Sequence, residues 1–310
     1  MESFSETFRQ LVILFGFIGI GALAWKLKLW GRDGINQITT FVLYFVMPML
    51  MVESMQMPVS LERIRNGLLA ALYAVITYLI SIVFAKLLLP PPDRAKRVYS
   101  FAVVLGNVGF MGIPLVSLLV GAEGVFYTVI FVMIFHIVTW TYGVSVMQKD
   151  RPGFHFSWKK ALVNPGVLPV TFAILLYVSG IRFPEIVMIP VRSIASLNRP
   201  LGMMIVGAEI AAVSLGSFWK DRGMYIAAAL RLLILPAIFL PLALLFANDR
   251  IWAYGVFIPA IIPTAANIMM FASRYEQDTL SAARALTAIT LVSLITIPFW
   301  VWLLGVLGPA

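Results

Sequence analysis

The sequence predicts an all-α polytopic membrane protein of ten transmembrane helices, arranged as a 5+5 inverted repeat. Three observations predict it. The chain is 61% hydrophobic and only 12% charged, about half the charged fraction of a soluble domain. Its apolar residues come in runs of ~20, the length that crosses the hydrocarbon of a bilayer, and not in the ~10-residue alternating segments of a membrane β-barrel. The longest polar connection, QKDRPGFHFSWKKALVNPG from Gln148, falls at the middle of the chain, with five runs before it and five after.

Taken in order, the runs are 8–25, 35–54, 66–89, 98–120, 124–147, 163–179, 188–214, 224–246, 251–272 and 280–304. The first is read as an uncleaved span. Met1–Gln10 carries Glu2 and Glu6 against Arg9, so the Ala22-Leu23-Ala24 sequence lacks the basic flank of a signal peptide. The second has Pro48 among Met47, Met49 and Met51, and the seventh has Pro200 ahead of Met203 and Met204. The third is closed by Pro90–Pro92 and the basic run to Arg97, an inner topology anchor. The fourth and ninth contain Gly, Pro and Asn where a span should be continuous, and the fifth contains His136. The division is a first repeat over 1–147, a short cytoplasmic connection over 148–162 and a second repeat over 163–310. An odd number of spans per half makes the second half enter the membrane from the opposite side.

Lysine and arginine set the orientation. With the N-terminus outside, Lys26, Lys28, Lys86, Lys96, Lys149, Lys159, Lys160 and Lys220 all fall on the inner side, whereas the outer side holds a few arginines such as Arg63, Arg182 and Arg250. Both termini are therefore expected outside, periplasmic in a bacterium, with the chain in the inner (plasma) membrane. The net charge of +9 is explained by this bias, and nucleic acid is not an expected partner. Tryptophans such as Trp25, Trp30, Trp252 and Trp302 are read as interface belts against membrane lipids.

Absent cysteine excludes disulfides, iron–sulfur clusters and cysteine-ligated zinc, and two histidines are too few for a histidine-rich metal site. Neither His-x-x-x-His nor Gly-x-Ser-x-Gly occurs. The chain is read as neither an enzyme nor a holder of a metal or cofactor.

The chemistry is expected in the damaged spans. The fourth reads LGNVGFMGIPLVSLL from Leu105, and the ninth VFIPAIIPTAANIMMFA from Val256. Broken backbone in lipid must face protein or a wet cavity, because each free N–H or C=O costs several kcal/mol there. The N-terminal ends of half-helices then present N–H donors suited to a carboxylate. Paired interruptions in two halves are the best sequence pointer to a transporter's binding site. The candidate substrate residues are Asn107, Gly109, Gly112 and Pro114 in span four, and Pro263, Thr264 and Asn267 in span nine. Neither span contains an acidic residue, which favours a small organic anion over a cation and weakens the case for sodium coupling. His136 is read either as a proton or substrate contact or as a neutral histidine bonded to a neighbouring helix. Arg231 is expected to snorkel to the inner headgroups, to pair with Glu209 or to attract an anion. Glu53 and Arg199 are expected to pair.

GNVGFMGIPL (Gly106–Leu115) and PTAANIMMFASRY (Pro263–Tyr275) resemble the auxin efflux carrier family, which includes bacterial malate and malonate permeases. The resemblance implies the fold of the bile-acid/sodium symporters, with a scaffold from spans 1, 2, 6 and 7 and a transport domain from spans 3–5 and 8–10. It implies that spans four and nine cross beside the substrate, an elevator-like motion, and a homodimer. Asn107, Pro114, Pro263 and Asn267 match its motif positions. The central loop is short, unlike that of plant auxin carriers. A receptor or sensor of the same fold that binds without transporting is the alternative.

Overall fold

In a computed structural model, residues 2–89, 94–148, 166–212 and 221–309 are described. The central connection beyond Gln148 and the Pro90–Asp93 segment lie outside them. The described chain is helical, with no β-sheet. Its helices are α1 (Glu2–Lys26), α2 (Arg32–Met55), α3 (Leu61–Leu88), α4 (Arg94–Val104), α5 (Val108–Gln148), α6 (Val167–Ser179), α7 (Glu185–Ala195), α8 (Asn198–Ala211), α9 (Arg222–Phe246), α10 (Arg250–Ile261), α11 (Ile268–Arg274) and α12 (Thr279–Leu307). By length and composition α2, α3, α5, α9 and α12 can each cross a bilayer, and Val12–Lys26, Val167–Ser179 and Arg250–Ile261 are shorter apolar helices. The chain is thus an all-α membrane protein.

Four of the described helices start at a side-chain cap. Ser60 accepts from the Arg63 N–H at α3, Asp249 from Trp252 at α10 and Asp278 from Ser281 at α12. Asp221 accepts from both Gly223 and Met224 at α9. The 41-residue run α5 is two helical stretches meeting at a kink, at the connection expected between spans four and five. Gly121 is the residue that interrupts it, at φ 70° and ψ −162°, a conformation open to glycine.

Four π turns widen these helices: Val42–Val46, Val108–Gly112, Thr139–Gly143 and Leu230–Ile234. Three are followed at the second position by a proline, Pro48, Pro114 or Pro236. In each of these, the N–H just before the proline reaches back five residues: Met47 to Val42, Ile113 to Val108, Leu235 to Leu230. The wider turn accommodates a ring that would otherwise press on the carbonyl one turn back. Other side chains collect the carbonyls that proline leaves free. Trp300 donates its indole N–H to the Leu232 carbonyl at 2.8 Å, four residues before Pro236. Thr128 donates to the Gly255 carbonyl at 2.8 Å, four residues before Pro259.

The packing is that of a protein dissolved in lipid. On α3, Leu68, Leu72, Val75, Leu79 and Val83 form one exposed stripe, while Ala70, Tyr73, Ala74, Thr77, Tyr78 and Ser81 are buried. A soluble helix would turn its leucines inward; here the small and hydroxylated residues face protein. The α1–α8 seam takes this furthest. A Cβ on Gly21 would lie 1.9 Å from the Met204 carbonyl oxygen, and one on Gly207 would lie 1.9 Å from that of Ile18. The two backbones touch because neither glycine carries a side chain.

Candidate functional site

The two interruptions meet. α4 stops at Val104 and α5 starts at Val108; α10 stops at Ile261 and α11 starts at Ile268. The second break has a local cause. Pro263 disfavours the helical region for the residue before it, and Ile262 accordingly sits at ψ 145°. In the first break, Asn107 sits at φ −80° and ψ 55°, outside both helix and strand. The non-helical stretches then pair as an antiparallel bridge between Gly106 and Thr264. The Asn107 N–H donates to the Pro263 carbonyl at 2.8 Å, and the Ala265 N–H to the Leu105 carbonyl at 2.9 Å. Each break satisfies backbone groups that the other exposes, which deep in a membrane protein avoids several kcal/mol per group.

Two further carbonyls at the C-terminal ends of α4 and α10 are taken by one side chain. Arg231, on the π turn of α9, donates from Nε to the Ile262 carbonyl at 2.8 Å and from Nη1 to the Val103 carbonyl at 3.2 Å. It is 3% exposed. Gly106 leaves it room: a Cβ there would stand 2.0 Å from Nη2.

This corrects the sequence-based placement of Arg231. It neither snorkels nor pairs with Glu209, because depth along a helix does not say which face a residue occupies, and this face points at the breaks. Glu209 instead pairs with Arg32 at 2.8 Å, joining α8 to the start of α2. Arg199 donates to Ser117 at 3.1 Å and forms no bridge to Glu53 among the described residues.

The candidate residues distribute as follows. Asn107 and Asn267 are the N-cap residues of α5 and α11, and neither side chain caps its own helix. Asn107 is buried. Asn267 Oδ1 and Thr264 Oγ1 are buried without a partner. Pro263 contributes its carbonyl to the pairing, and Pro114 follows the π turn that opens α5. Gly109 lies against Met47 of α2, where a Cβ would be 2.5 Å from the methyl carbon. Gly112 faces the other break, but a Cβ there would be 3.6 Å from Pro259 Cα, in ordinary contact. The His136 ring meets Phe135, and its Nδ1 faces Gly166 at the start of α6.

One residue at this place escapes the sequence reading. Asn198, at the start of α8, is 2% exposed, donates from Nδ2 to the Gly109 carbonyl at 3.3 Å and leaves Oδ1 without a partner. The available signal was an asparagine ahead of Arg199-Pro200 inside an apolar run.

Residues 7–301 match the family of membrane transport proteins. The chain belongs to that family, which is auxin efflux carrier-like. The family match spans both interruptions, so the paired breaks belong to the region shared with other members. A protein of Methanocaldococcus jannaschii described as an uncharacterized transporter is 22% identical over 277 residues, covering 86% of this chain and 89% of the relative. This family member is therefore a multi-pass membrane protein of the transporter class.

Proposed function

We propose that the chain is a secondary transporter of small organic anions, auxin-like or dicarboxylic, bound where spans four and nine cross. The observation that carries this reading is the set of buried, uncommitted polar groups at the paired breaks. Asn267 Oδ1 and Thr264 Oγ1 have no partner, and the Asn107 side chain does not cap its helix. A buried polar atom without a partner costs about 1–3 kcal/mol, and a guest with matching donors and acceptors relieves it. The N-terminal end of α5 starts at this place and adds a partial positive charge, and no acidic side chain in either broken span opposes an anion.

The reading includes ten spans in two inverted halves and elevator-like motion, and the packing supports its division into scaffold and transport groups. α1 packs on α8, and α2 on α6 and α7, as a scaffold from spans 1, 2, 6 and 7 requires. α10 packs on α5 and α9 in the remaining group. A homodimer, an inner-membrane location and outward termini complete the reading.

The test is a thermal-shift screen of carboxylates on purified protein, followed by counterflow of any stabilising carboxylate in liposomes. A ligand of the folded state raises its apparent stability. Stabilisation together with saturable counterflow supports the reading. Saturable binding without counterflow assigns a receptor, and indifference to every carboxylate removes the anion assignment.

A further inference from the structure

The breaks in α4–α5 and α10–α11 direct helix C-terminal carbonyls toward one buried point. In transporters built on broken helices, carbonyls of this kind are ligands for an inorganic cation such as sodium. Here the point is filled by the chain itself. The Arg231 guanidinium reaches the Val103 and Ile262 carbonyls, one from each broken helix. Its charge is not answered by a carboxylate: none of the ion pairs among the described residues involves it. Its neutral surroundings include Thr77, Tyr78 and Ser81 of α3, which line a small cavity with it. The positive charge is therefore balanced by main-chain dipoles at helix C-termini, where a cation is favoured.

We propose that Arg231 is a tethered cation. It holds the two broken helices in register and occupies the place a sodium ion would take, so the paired breaks assemble without any dissolved cation. Gly106 is part of the device, because any side chain there would displace Nη2. The inference goes beyond the anion-transport reading and does not rest on it. Arg231 is a positioning residue: it acts on the backbone that presents Asn107 and Asn267. Removing it leaves a buried gap between carbonyl oxygens and the hydroxyls of Thr77 and Ser81, chemistry suited to a monovalent cation or a small guanidinium.

The experiment needs no substrate. Thermal unfolding of the purified full-length protein is followed in sodium, potassium or N-methylglucamine chloride at equal ionic strength. The wild type is expected to unfold at one temperature in all three. Arg231→Ala is expected to unfold about 5 °C lower or more in N-methylglucamine. At least half of that loss should return with sodium, or with a few millimolar methylguanidinium, which a general packing defect would not show. Arg231→Lys keeps the charge without the fork and should fall between the two, indifferent to sodium. If Arg231→Ala cannot be purified, the wild-type and Arg231→Lys proteins decide. The proposal is overturned by a wild type, or an Arg231→Lys protein, that sodium stabilises over N-methylglucamine. It is equally overturned by an Arg231→Ala protein as stable as wild type, or one destabilised but indifferent to both sodium and methylguanidinium.

Discussion

Two places in this protein bring helices closer than side chains normally allow, and they do it in opposite ways. At the α1–α8 seam the backbones stay helical and the side chains are removed: Gly21 and Gly207 leave the Met204 and Ile18 carbonyls nothing to strike. At the paired breaks the side chains stay and the helices open, exchanging hydrogen bonds through Asn107, Pro263, Leu105 and Ala265. A continuous helix keeps its N–H and C=O groups for itself, so the seam has no freed main-chain group to offer a solute. An opened helix must place those groups elsewhere, and Asn267 Oδ1 and Thr264 Oγ1 remain uncommitted there. The seam suits a rigid support, and the breaks suit recognition.

Substitutions at each place should separate support from recognition. The largest effect on folding is expected at the seam. Gly207→Leu drives a side chain into main-chain atoms that cannot step aside, and should cost about 3 kcal/mol or more. A fall in unfolding temperature, together with loss of monodispersity in detergent, measures it; an unchanged protein would mean the seam opens freely. Next comes recognition. Asn107→Ala and Asn267→Ala should each lower uptake about tenfold, the worth of one good hydrogen bond, while the unfolding temperature barely changes. Normal uptake kinetics in both variants would detach the breaks from transport.

A smaller loss is expected beside the breaks, where Thr128 serves the carbonyl that Pro259 leaves free. Thr128→Val keeps the shape and strands the Gly255 carbonyl, at a cost of about 1–2 kcal/mol read from thermal or denaturant unfolding. Valine without cost would show that the carbonyl finds another donor. The smallest effect belongs to Gly112→Ala. Its added methyl meets Pro259 at ordinary contact distance, so uptake and stability should both stay within about twofold and about 0.5 kcal/mol of wild type. A large loss there would sharpen the comparison, because Gly112 would then need space that appears only as the transporter moves.

Much of this was readable from composition and spacing. Runs of apolar residues marked the helices, and Pro263 with the Gly106–Asn107 pair marked where backbone would be freed. The break at Gly121 fell at the expected connection between two runs. Depth along a run does not give facing, which is why Arg231 meets the broken backbone and neither the headgroups nor Glu209. Of the alternatives open for Arg231, a pair with Glu209 gives way to Arg32, which comes from a helix far away in the chain. Asn198 was passed over because its neighbour Gly109 is a bare carbonyl, which leaves no trace in residue type.

Sequence alone determined the solvent, the helical state and the positions at which helices cannot continue. Those follow from local chemistry: side-chain hydropathy, missing N–H groups, and the steric limits that proline imposes and glycine lifts. Only the tertiary structure decided what completes the broken ends, because a freed carbonyl or N–H is indifferent to which donor or acceptor answers it. Here the partners are another break and a buried guanidinium, brought in from remote helices by packing.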